Sequence, residues 1–242
     1  TILVSIMYIN NEIGTVYPIK KYVGVVREYE KEQGTTIAFH TDASQAGGWM
    51  SCNTGTLGAD LITLGGQKVW GPQGVGVLYV EKSAAIDPVV YGGAQEQGLR
   101  PGTVPVALVV GMGEALHRAQ YERKERATRV AALRDYFIAE VEARVPNAVL
   151  NGPRGEGRSA NSAHFSFPWM LGEEVVIGLD VRGVACSTKS ACHKTGTGST
   201  VMVAIGASRA EQESAVRFSF DKTITKEQVD RVVEVLVEVC KK

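Results

Sequence analysis

The first hundred residues alternate short apolar runs with polar turns, a pattern typical of an α/β sheet protein. Apolar runs at residues 2–8, 36–41 and 60–64 have the length of buried strands, and each ends in polar residues. Between the first two runs, residues 18–33 carry apolar side chains at helical spacing behind an initial proline. We therefore expect a largely parallel sheet whose polar strand ends lie along one edge.

The second half of the chain predicts a smaller α+β domain. Residues 104–145 have a helical pattern that is apolar at first, densely charged at 120–129 and amphipathic afterwards. A charged centre between apolar ends is typical of a helix that connects two domains, so we expect a large domain over residues 1–120 and a small one over residues 121–242. The pattern also predicts strands at 162–167, 184–187 and 215–220 and helices at 173–181 and 226–240.

Composition and charge exclude several classes of partner. The 242 residues are 44% hydrophobic and 21% charged, which is ordinary for a globular protein. Lysine plus arginine and aspartate plus glutamate both number 26, so neither nucleic acid nor an anionic membrane is expected as the main partner. No apolar run is long enough to span a membrane and no signal peptide is evident, so we expect a small-molecule partner and a cytoplasmic location.

The four cysteines are scattered, with no Cys-x-x-Cys pair. This spacing favours neither a zinc site nor a disulfide framework, so no metal is expected and a thiol is free to react. Cys192 follows small residues and precedes a histidine and a lysine, the electropositive setting of a reactive thiolate. Cys186 falls within a predicted strand and is expected to be buried and inert. An incidental loop cysteine is the alternative interpretation of Cys192.

The stretch around Lys68 is the first candidate for covalent chemistry. An apolar strand at 60–64 ends in two glycines, and the chain enters another apolar strand after Gly-Pro-Gln-Gly. A lysine held between two buried strands would lose part of its hydration, which favours the neutral amine that condenses with a carbonyl. The alternative is an ordinary lysine in a glycine-rich loop.

Polar residues at the other strand ends complete a candidate site. Asn11 follows the first strand, and Asp42 and Gln45 follow the second at a spacing that one tight turn can aim into the same cleft. An asparagine there can hydrogen-bond a ring substituent, and a carboxylate can pair with a protonated ring nitrogen. Both residue types also cap turns, so a structural role is equally consistent.

Two further positions favour anion binding. Thr103 and Arg100 lie in a glycine-rich segment at 91–103 that permits close approach of a ligand or another subunit. Arg217 lies within an apolar strand, and a buried arginine requires a partner such as a substrate carboxylate. A long connecting loop and a structural ion pair are the respective alternatives.

Six motifs together resemble class V, fold type I pyridoxal-phosphate (PLP) enzymes. They are Asn10-Asn-Glu-Ile-Gly14, His40-Thr-Asp-Ala-Ser-Gln45, Gln67-Lys-Val-Trp-Gly-Pro-Gln-Gly74, Arg100-Pro-Gly-Thr103, Ser190-Ala-Cys192 and Val216-Arg-Phe-Ser219. The chain is most similar to the cysteine desulfurases of iron–sulfur cluster assembly and also resembles selenocysteine lyases. The resemblance runs from about Ile2 to the C-terminus. It implies an α/β fold with a mainly parallel large domain and a small α+β domain that carries the cysteine loop.

The resemblance also implies roles for residues around the cofactor. Lys68 matches the lysine that binds PLP covalently and moves the α-proton of the substrate. Asp42 matches the carboxylate on the pyridine nitrogen, and Gln45 the residue on the ring hydroxyl. Asn11 matches an asparagine near that hydroxyl and the substrate. Gln67 stands beside the lysine as a phosphate donor.

Three more roles concern the partner subunit, the substrate and the sulfur. Thr103 matches a threonine that reaches the cofactor phosphate of a neighbouring subunit, which implies a homodimer. Arg217 matches the arginine that binds the carboxylate of L-cysteine. Cys192 matches the nucleophile that takes the substrate sulfur as a persulfide and carries it to an acceptor or scaffold protein, while the substrate becomes L-alanine.

Several positions depart from the family pattern. Gln67 replaces the usual histidine, Gly65 a serine or threonine, Gln97 a common arginine, and Lys189 the usual glycine. The large domain is expected to be N-terminally incomplete, because the family's phosphate-binding loop and the residue that stacks on the pyridine ring have no counterpart after Thr1. Two alternatives therefore stand beside a desulfurase: a selenocysteine lyase or other class V enzyme, and a non-catalytic fragment or degenerate relative that binds sulfur-transfer partners.

Overall fold

The computed structural model describes residues 1–188 and 199–241, and the chain divides into two compact units. Unit 1 comprises Thr1–Ile9 and Tyr17–Arg123, and unit 2 comprises Asn10–Val16 and Lys124–Lys242. Within the described ranges, no helix combines the length and the apolar character needed to cross a membrane.

Unit 1 is built on a four-stranded mixed sheet in the order β1-β2-β3-β4. Its elements are β1 (Leu3–Met7), α1 (Ile19–Gln33), β2 (Ala38–Asp42), α2 (Thr54–Leu57), β3 (Leu61–Gly65), β4 (Gly76–Val80) and α3 (Val106–Tyr121). The first three strands run parallel, and β4 is antiparallel to β3. The predicted, mainly parallel α/β sheet is therefore confirmed.

Helix α1 forms where the periodicity predicts it and is attached to the sheet by polar contacts. Ile19 and Val23 are buried on its apolar face. Its Arg27 pairs with Asp60 at 2.6 Å, and the same carboxylate accepts the backbone N–H of Phe39 at 2.7 Å. One carboxylate before β3 thus joins the helix to the neighbouring strand β2.

Burial within this sheet differs from the prediction that its strands are buried. The interior strand β3 is buried, since β2 and β4 flank it on both sides. The outer strand β1 leaves Leu3 49% and Met7 40% exposed, and β4 leaves Leu78 47% exposed. The expectation of buried strands on either side of Lys68 is therefore wrong for β4, because an outer strand has a neighbour on one side only.

Unit 2 contains a three-stranded antiparallel sheet in the order β5-β6-β7. Its elements are α4 (Arg123–Arg144), β5 (Val149–Leu150), β6 (Ser162–Ser166), α5 (Gly172–Asp180), α6 (Thr200–Ala204), α7 (Arg209–Glu213), β7 (Ala215–Ser219) and α8 (Lys226–Cys240). The Phe137 ring of α4 lies 5.0–6.1 Å from the rings of Phe165, Phe218 and Phe220, which centres the apolar core on this sheet.

Two predicted elements differ in the structure. The helical pattern of residues 104–145 is interrupted at Glu122, where α3 ends and α4 begins. Gln120 anchors the end of α3 within unit 1, because its carboxamide donates to the carbonyl oxygens of Gly47 at 2.6 Å and Met50 at 3.0 Å. The predicted strand at 184–187 is absent, and only Ser187 within it pairs, through an isolated bridge to Arg217.

Candidate active site

The carboxyl ends of β1, β2 and β3 lie side by side in register. Asp42 at the end of β2 pairs with Met7 of β1 and with Thr63 of β3. The chain after β2 then leads to Gln45, and the chain after β3 leads directly to Lys68. Parallel pairing thus directs the two candidate segments of unit 1 to the same edge of the sheet.

The turn that carries Lys68 is fixed by its neighbours in sequence. Gly66–Val69 forms a 3-10 turn in which Gly66 and Val69 are buried. The Gly66 N–H donates to the carbonyl of Val75 at 3.0 Å, and the Gly71 N–H donates to the carbonyl of Gly66 at 3.0 Å. The turn ends at Trp70 with a positive φ of 61°, which is uncommon for a residue with a side chain. The backbone beside Lys68 is therefore tightly constrained.

The side chain of Lys68 is exposed, which contradicts the expectation that it is shielded from water. The physical reason is the turn: its apolar neighbour Val69 points into the core, so Lys68 on the other side of the turn points outward. Among the described residues the amine has neither a hydrogen bond nor an ion pair. Lys68 is therefore an accessible primary amine on a constrained backbone.

Asp42 keeps part of its hydrogen-bonding capacity. One carboxylate oxygen accepts the backbone N–H of Ser44 at 2.8 Å, so the turn-capping role is present. Within the described part of the chain, the second oxygen of Asp42 and the carboxamides of Gln45 and Gln67 have no hydrogen-bond partner. An amine, a carboxylate and two carboxamides with unused capacity are the groups that an aldehyde-, pyridine- and phosphate-bearing ligand requires. On this donor set, unit 1 fits PLP.

Gln67 and Gly65 occupy adjoining space. A Cβ atom added at Gly65 would lie 3.2 Å from the side-chain oxygen of Gln67 and 3.7 Å from its nitrogen. The carboxamide thus covers the position at which a side chain of residue 65 would begin. The two departures from the family pattern are therefore neighbours in space, with a neutral carboxamide beside the position at which the side chain of a serine or threonine would begin.

Thr103 has no hydrogen bond to the polar side chains at the strand ends among the described residues. It is exposed in the irregular segment before α3, next to Gly102 with a φ of 109°. Among the described residues it forms no hydrogen bond to Asp42, Gln45, Gln67 or Lys68. Thr103 therefore adds nothing to this set within the single chain.

Asn11 belongs to a buried loop of unit 2, Asn10–Val16. The side chain of Asn10 accepts the backbone N–H groups of Glu12 at 2.9 Å and Ile13 at 3.0 Å, which is an Asx turn. Asn10, the residue before Asn11, thus has a structural role in this turn. The buried guanidinium of Arg158 holds the loop by donating to the carbonyl of Ile13 at 3.0 Å.

Arg217 contacts this loop and retains unused donors. Its Nη1 donates to the carbonyl of Asn11 at 2.7 Å, and its buried Nε has no hydrogen-bond partner among the described residues. Burial lowers the pKa of Arg217, and the negative charge of Glu12 opposes this effect. A half-buried cation with an unsatisfied N–H is suited to a carboxylate ligand.

His164 lies opposite Arg217 in the β6–β7 register and adds no charge near it. Burial, followed by the positive charges of Arg158 and Arg217, lowers the pKa of His164 to about 3. The Asn151 side chain shares a hydrogen bond with the His164 ring at 3.1 Å. His164 is therefore a neutral, structural residue at physiological pH.

Cys192 lies outside the described residues. Burial raises the pKa of each of the three other thiols, Cys52, Cys186 and Cys240, to about 11. Cys186 is half-buried and lies outside any strand, although its raised pKa agrees with the expectation that it is unreactive. Over the residues that the structure describes, no cluster of histidine, cysteine and acidic side chains could hold a metal ion.

Sequence reasoning missed several buried polar residues near Asn11. Glu12, Arg158, His164 and Ser199 are each at most 3% exposed. Glu12 lies within the Asn10-Asn-Glu-Ile-Gly14 motif but received no role there, and the other three are isolated polar residues in the sequence. Cysteines and glycine-rich turns can be recognised from residue type and sequence neighbours alone. The burial of these four residues depends on tertiary contacts, which the sequence pattern does not show.

Comparison with known proteins gives a consistent family. The family described as Aminotransferase class-V matches residues 1–232. The chain is 41% identical over 243 residues to "Cysteine desulfurase IscS" of Dictyoglomus turgidum. It is 38% identical over 243 residues to "Cysteine desulfurase IscS" of Clostridium botulinum. Each match covers 100% of this chain and 60% of the relative. A solved structure titled "NifS-like protein" superposes with a TM-score of 0.87 at 32% identity, covering 99% of this chain and 61% of the other. The chain thus spans about 60% of the length of these relatives.

Proposed function

The chain belongs to the class-V aminotransferase family, and on that premise we propose that it forms part of a PLP-dependent cysteine desulfurase. The proposed reaction converts L-cysteine to L-alanine and transfers the sulfur to Cys192 as a persulfide, which serves iron–sulfur cluster assembly or another sulfur-transfer pathway. The observation that carries the proposal is that two parallel, adjacent strands lead to Asp42 and to Lys68, an exposed amine with no hydrogen bond or ion pair among the described residues.

Four residues of unit 1 are proposed to hold the cofactor. Bound PLP supplies an electron sink that makes the α-proton of an amino acid acidic. Asp42 keeps a proton on the ring nitrogen, Gln45 hydrogen-bonds the ring hydroxyl, and Gln67 donates to the phosphate. Lys68 provides the covalent attachment and afterwards moves the substrate's α-proton.

Unit 2 is proposed to bind the substrate and receive its sulfur. Arg217 binds the substrate carboxylate through donors that the described residues leave unused, and Asn11 contacts the substrate and the ring hydroxyl. The Cys192 thiolate attacks the substrate sulfur, a sulfur–sulfur bond forms, and the carbon–sulfur bond breaks. The electron pair of that bond stays on the substrate carbon, which is protonated to give L-alanine.

The proposed desulfurase function implies two protein partners, a second copy of the chain and a sulfur acceptor. Thr103 is proposed to reach the cofactor phosphate of a second copy in a homodimer, which agrees with its exposure and with the absence of a hydrogen bond to the candidate residues of unit 1 among the described residues. Residues 1–120 would form the PLP-binding part, and residues 121–242 the part that carries Cys192. A sulfur-acceptor or scaffold protein would receive the persulfide sulfur.

Absorbance spectroscopy tests the cofactor assignment. The purified chain is titrated with PLP, and we expect a visible band that is abolished in Lys68→Ala and retained in Lys20→Ala, a matched control at an exposed lysine of α1. A band that survives Lys68→Ala would overturn the role of Lys68. No band in the wild-type chain would favour a non-catalytic relative.

Sulfide release tests the reaction. With L-cysteine and a reductant, we expect release in the wild type and loss in Cys192→Ser, while Cys52→Ser retains release because Cys52 is a half-buried thiol of unit 1 with a raised pKa. Unchanged release from Cys192→Ser would contradict the persulfide step. Comparison of L-cysteine with L-selenocysteine separates a desulfurase from a selenocysteine lyase.

A further inference from the structure

Glu12 is a buried acidic residue to which no role has been assigned. Its side chain is 2% exposed, and its backbone N–H is held by the Asn10 side chain at 2.9 Å. The hydroxyl of Ser199 donates to the Glu12 carboxylate and also accepts the backbone N–H of Met202 at 3.2 Å, as the N-cap of α6. Contacts at both ends of the residue therefore fix where its charge lies.

Glu12 adjoins the backbone carbonyl that Arg217 contacts. The guanidinium donates to the carbonyl of Asn11 at 2.7 Å, and that carbonyl belongs to the peptide bond preceding Glu12. The Nε of Arg217 is buried and unsatisfied within the described residues, so the guanidinium can still accept an anionic ligand. His164, across the β6–β7 register, is neutral at physiological pH, and the nearby Arg158 is itself a cation. Among the described residues, Glu12 is the one acidic side chain whose charge affects the pKa of Arg217, which it raises.

We propose that Glu12 is a positioning residue that limits the affinity of Arg217 for carboxylates. This inference rests on the proposed role of Arg217 in binding the substrate carboxylate. A ligand carboxylate at Arg217 is attracted by the guanidinium and repelled by the fixed Glu12 carboxylate, and burial weakens the screening of both interactions. Because substrate and product carry the same carboxylate, Glu12 would shorten the time for which the amino-acid product remains bound.

The sign of the effect separates this role from a merely structural one. Glu12→Gln removes the charge but keeps an oxygen that can accept the Ser199 hydroxyl, so we expect the loop to keep its conformation. Loss of repulsion then tightens the binding of a carboxylate at Arg217, by roughly three- to tenfold for one unit charge in a partly buried site. Loss of a structural contact would instead weaken binding.

Nuclear magnetic resonance on the full chain measures the effect directly. The Arg217 Nε–H resonance is followed during titration with L-alanine, with PLP present and again without it. We expect tighter binding in Glu12→Gln, wild-type affinity within about twofold in Glu12→Asp, which keeps the charge, and no change in Glu173→Gln, an exposed acidic residue of the same unit.

Several results would overturn the inference. They are unchanged or weaker L-alanine binding in Glu12→Gln, tightening that persists when Arg217→Ala is added, or no response of Arg217 to L-alanine in the wild type. The proposed function fails separately, through the absence of a PLP band or of sulfide release, because the Arg217 resonance is followed with and without the cofactor.

Discussion

Substitution of Gly66 by alanine tests whether the Lys68 turn is held by close backbone packing. A Cβ atom at residue 66 would lie 2.8 Å from the carbonyl oxygen of Pro72 and 2.9 Å and 3.1 Å from Cγ1 and the carbonyl oxygen of Val75. Two of these three contacts are backbone atoms, which no side-chain rotation can move away. The 3.0 Å hydrogen bond from the Gly66 N–H to Val75 restrains the same loop. Alanine must therefore displace the turn.

The cost of Gly66→Ala follows from these contacts. Overpacking typically costs about 1–3 kcal/mol, and weakening one backbone hydrogen bond adds about 1 kcal/mol. With a urea dependence of about 2 kcal/mol per M, unfolding of unit 1 should begin about 1 M or more earlier than in the wild type. Trp49 and Trp70, whose rings lie 5.7 Å apart beside the loop, provide the fluorescence signal.

A second glycine provides the matched control. Gly24 lies inside α1 with no heavy atom within 4 Å of an added Cβ, so Gly24→Ala should stabilise the protein by about 0.5–1 kcal/mol through helix propensity. PLP absorbance should also weaken in Gly66→Ala, because the turn positions Lys68, and remain unchanged in Gly24→Ala. A wild-type urea midpoint for Gly66→Ala would refute the reasoning that backbone contacts lock this turn.

Two further predictions use the buried titratable groups. The pKa of His164 is about 3 in the folded chain, below the ordinary value of 6.5, so the unfolded chain binds the proton first and stability falls as pH decreases from about 6.5 towards 3. The slope is about 1.4 kcal/mol per pH unit, or about 2 kcal/mol between pH 7 and 5. Urea unfolding followed by Trp169 fluorescence should show this loss in the wild type and in the exposed-site control His117→Gln, but not in His164→Gln; an equal loss in His164→Gln would contradict it. The second prediction is that Cys52, Cys186 and Cys240 react with iodoacetamide about two-hundredfold more slowly at pH 8 than an ordinary thiol, because their pKa is about 11. Mass spectrometry should therefore find rapid labelling only at Cys192, and rapid labelling of any of the other three would show that its burial is not maintained in solution.

The sequence was sufficient to predict a helix or strand where its local pattern is compatible with only one of these structures. The periodicity of α1 and α8 and the short, partly apolar segments at β2, β3 and β7 predict the elements found, because one face of each must be buried whatever surrounds it. The interruption at Glu122 was not predictable, since the helical pattern continues through it. The break coincides with the hydrogen bonds that anchor Gln120 within unit 1, and these join residues about seventy positions apart.

For the candidate site too, some features could be predicted from the sequence and others required the tertiary structure. Lys68, Asp42, Gln45, Cys192 and Arg217 were identified as candidates from their residue types and their order in the chain, and their proposed roles remain predictions. The exposure of Lys68, the coupling of Gln67 with Gly65, and the burial of Glu12, Arg158 and His164 depended on tertiary structure. The physical reason is that residue type sets which chemistry a side chain can perform, whereas solvent exposure and neighbouring charge are set by residues distant in sequence. By itself the sequence determined the α/β elements and a set of reactive groups, and folding alone decided which of those groups stay in water and which fixed charges act on them.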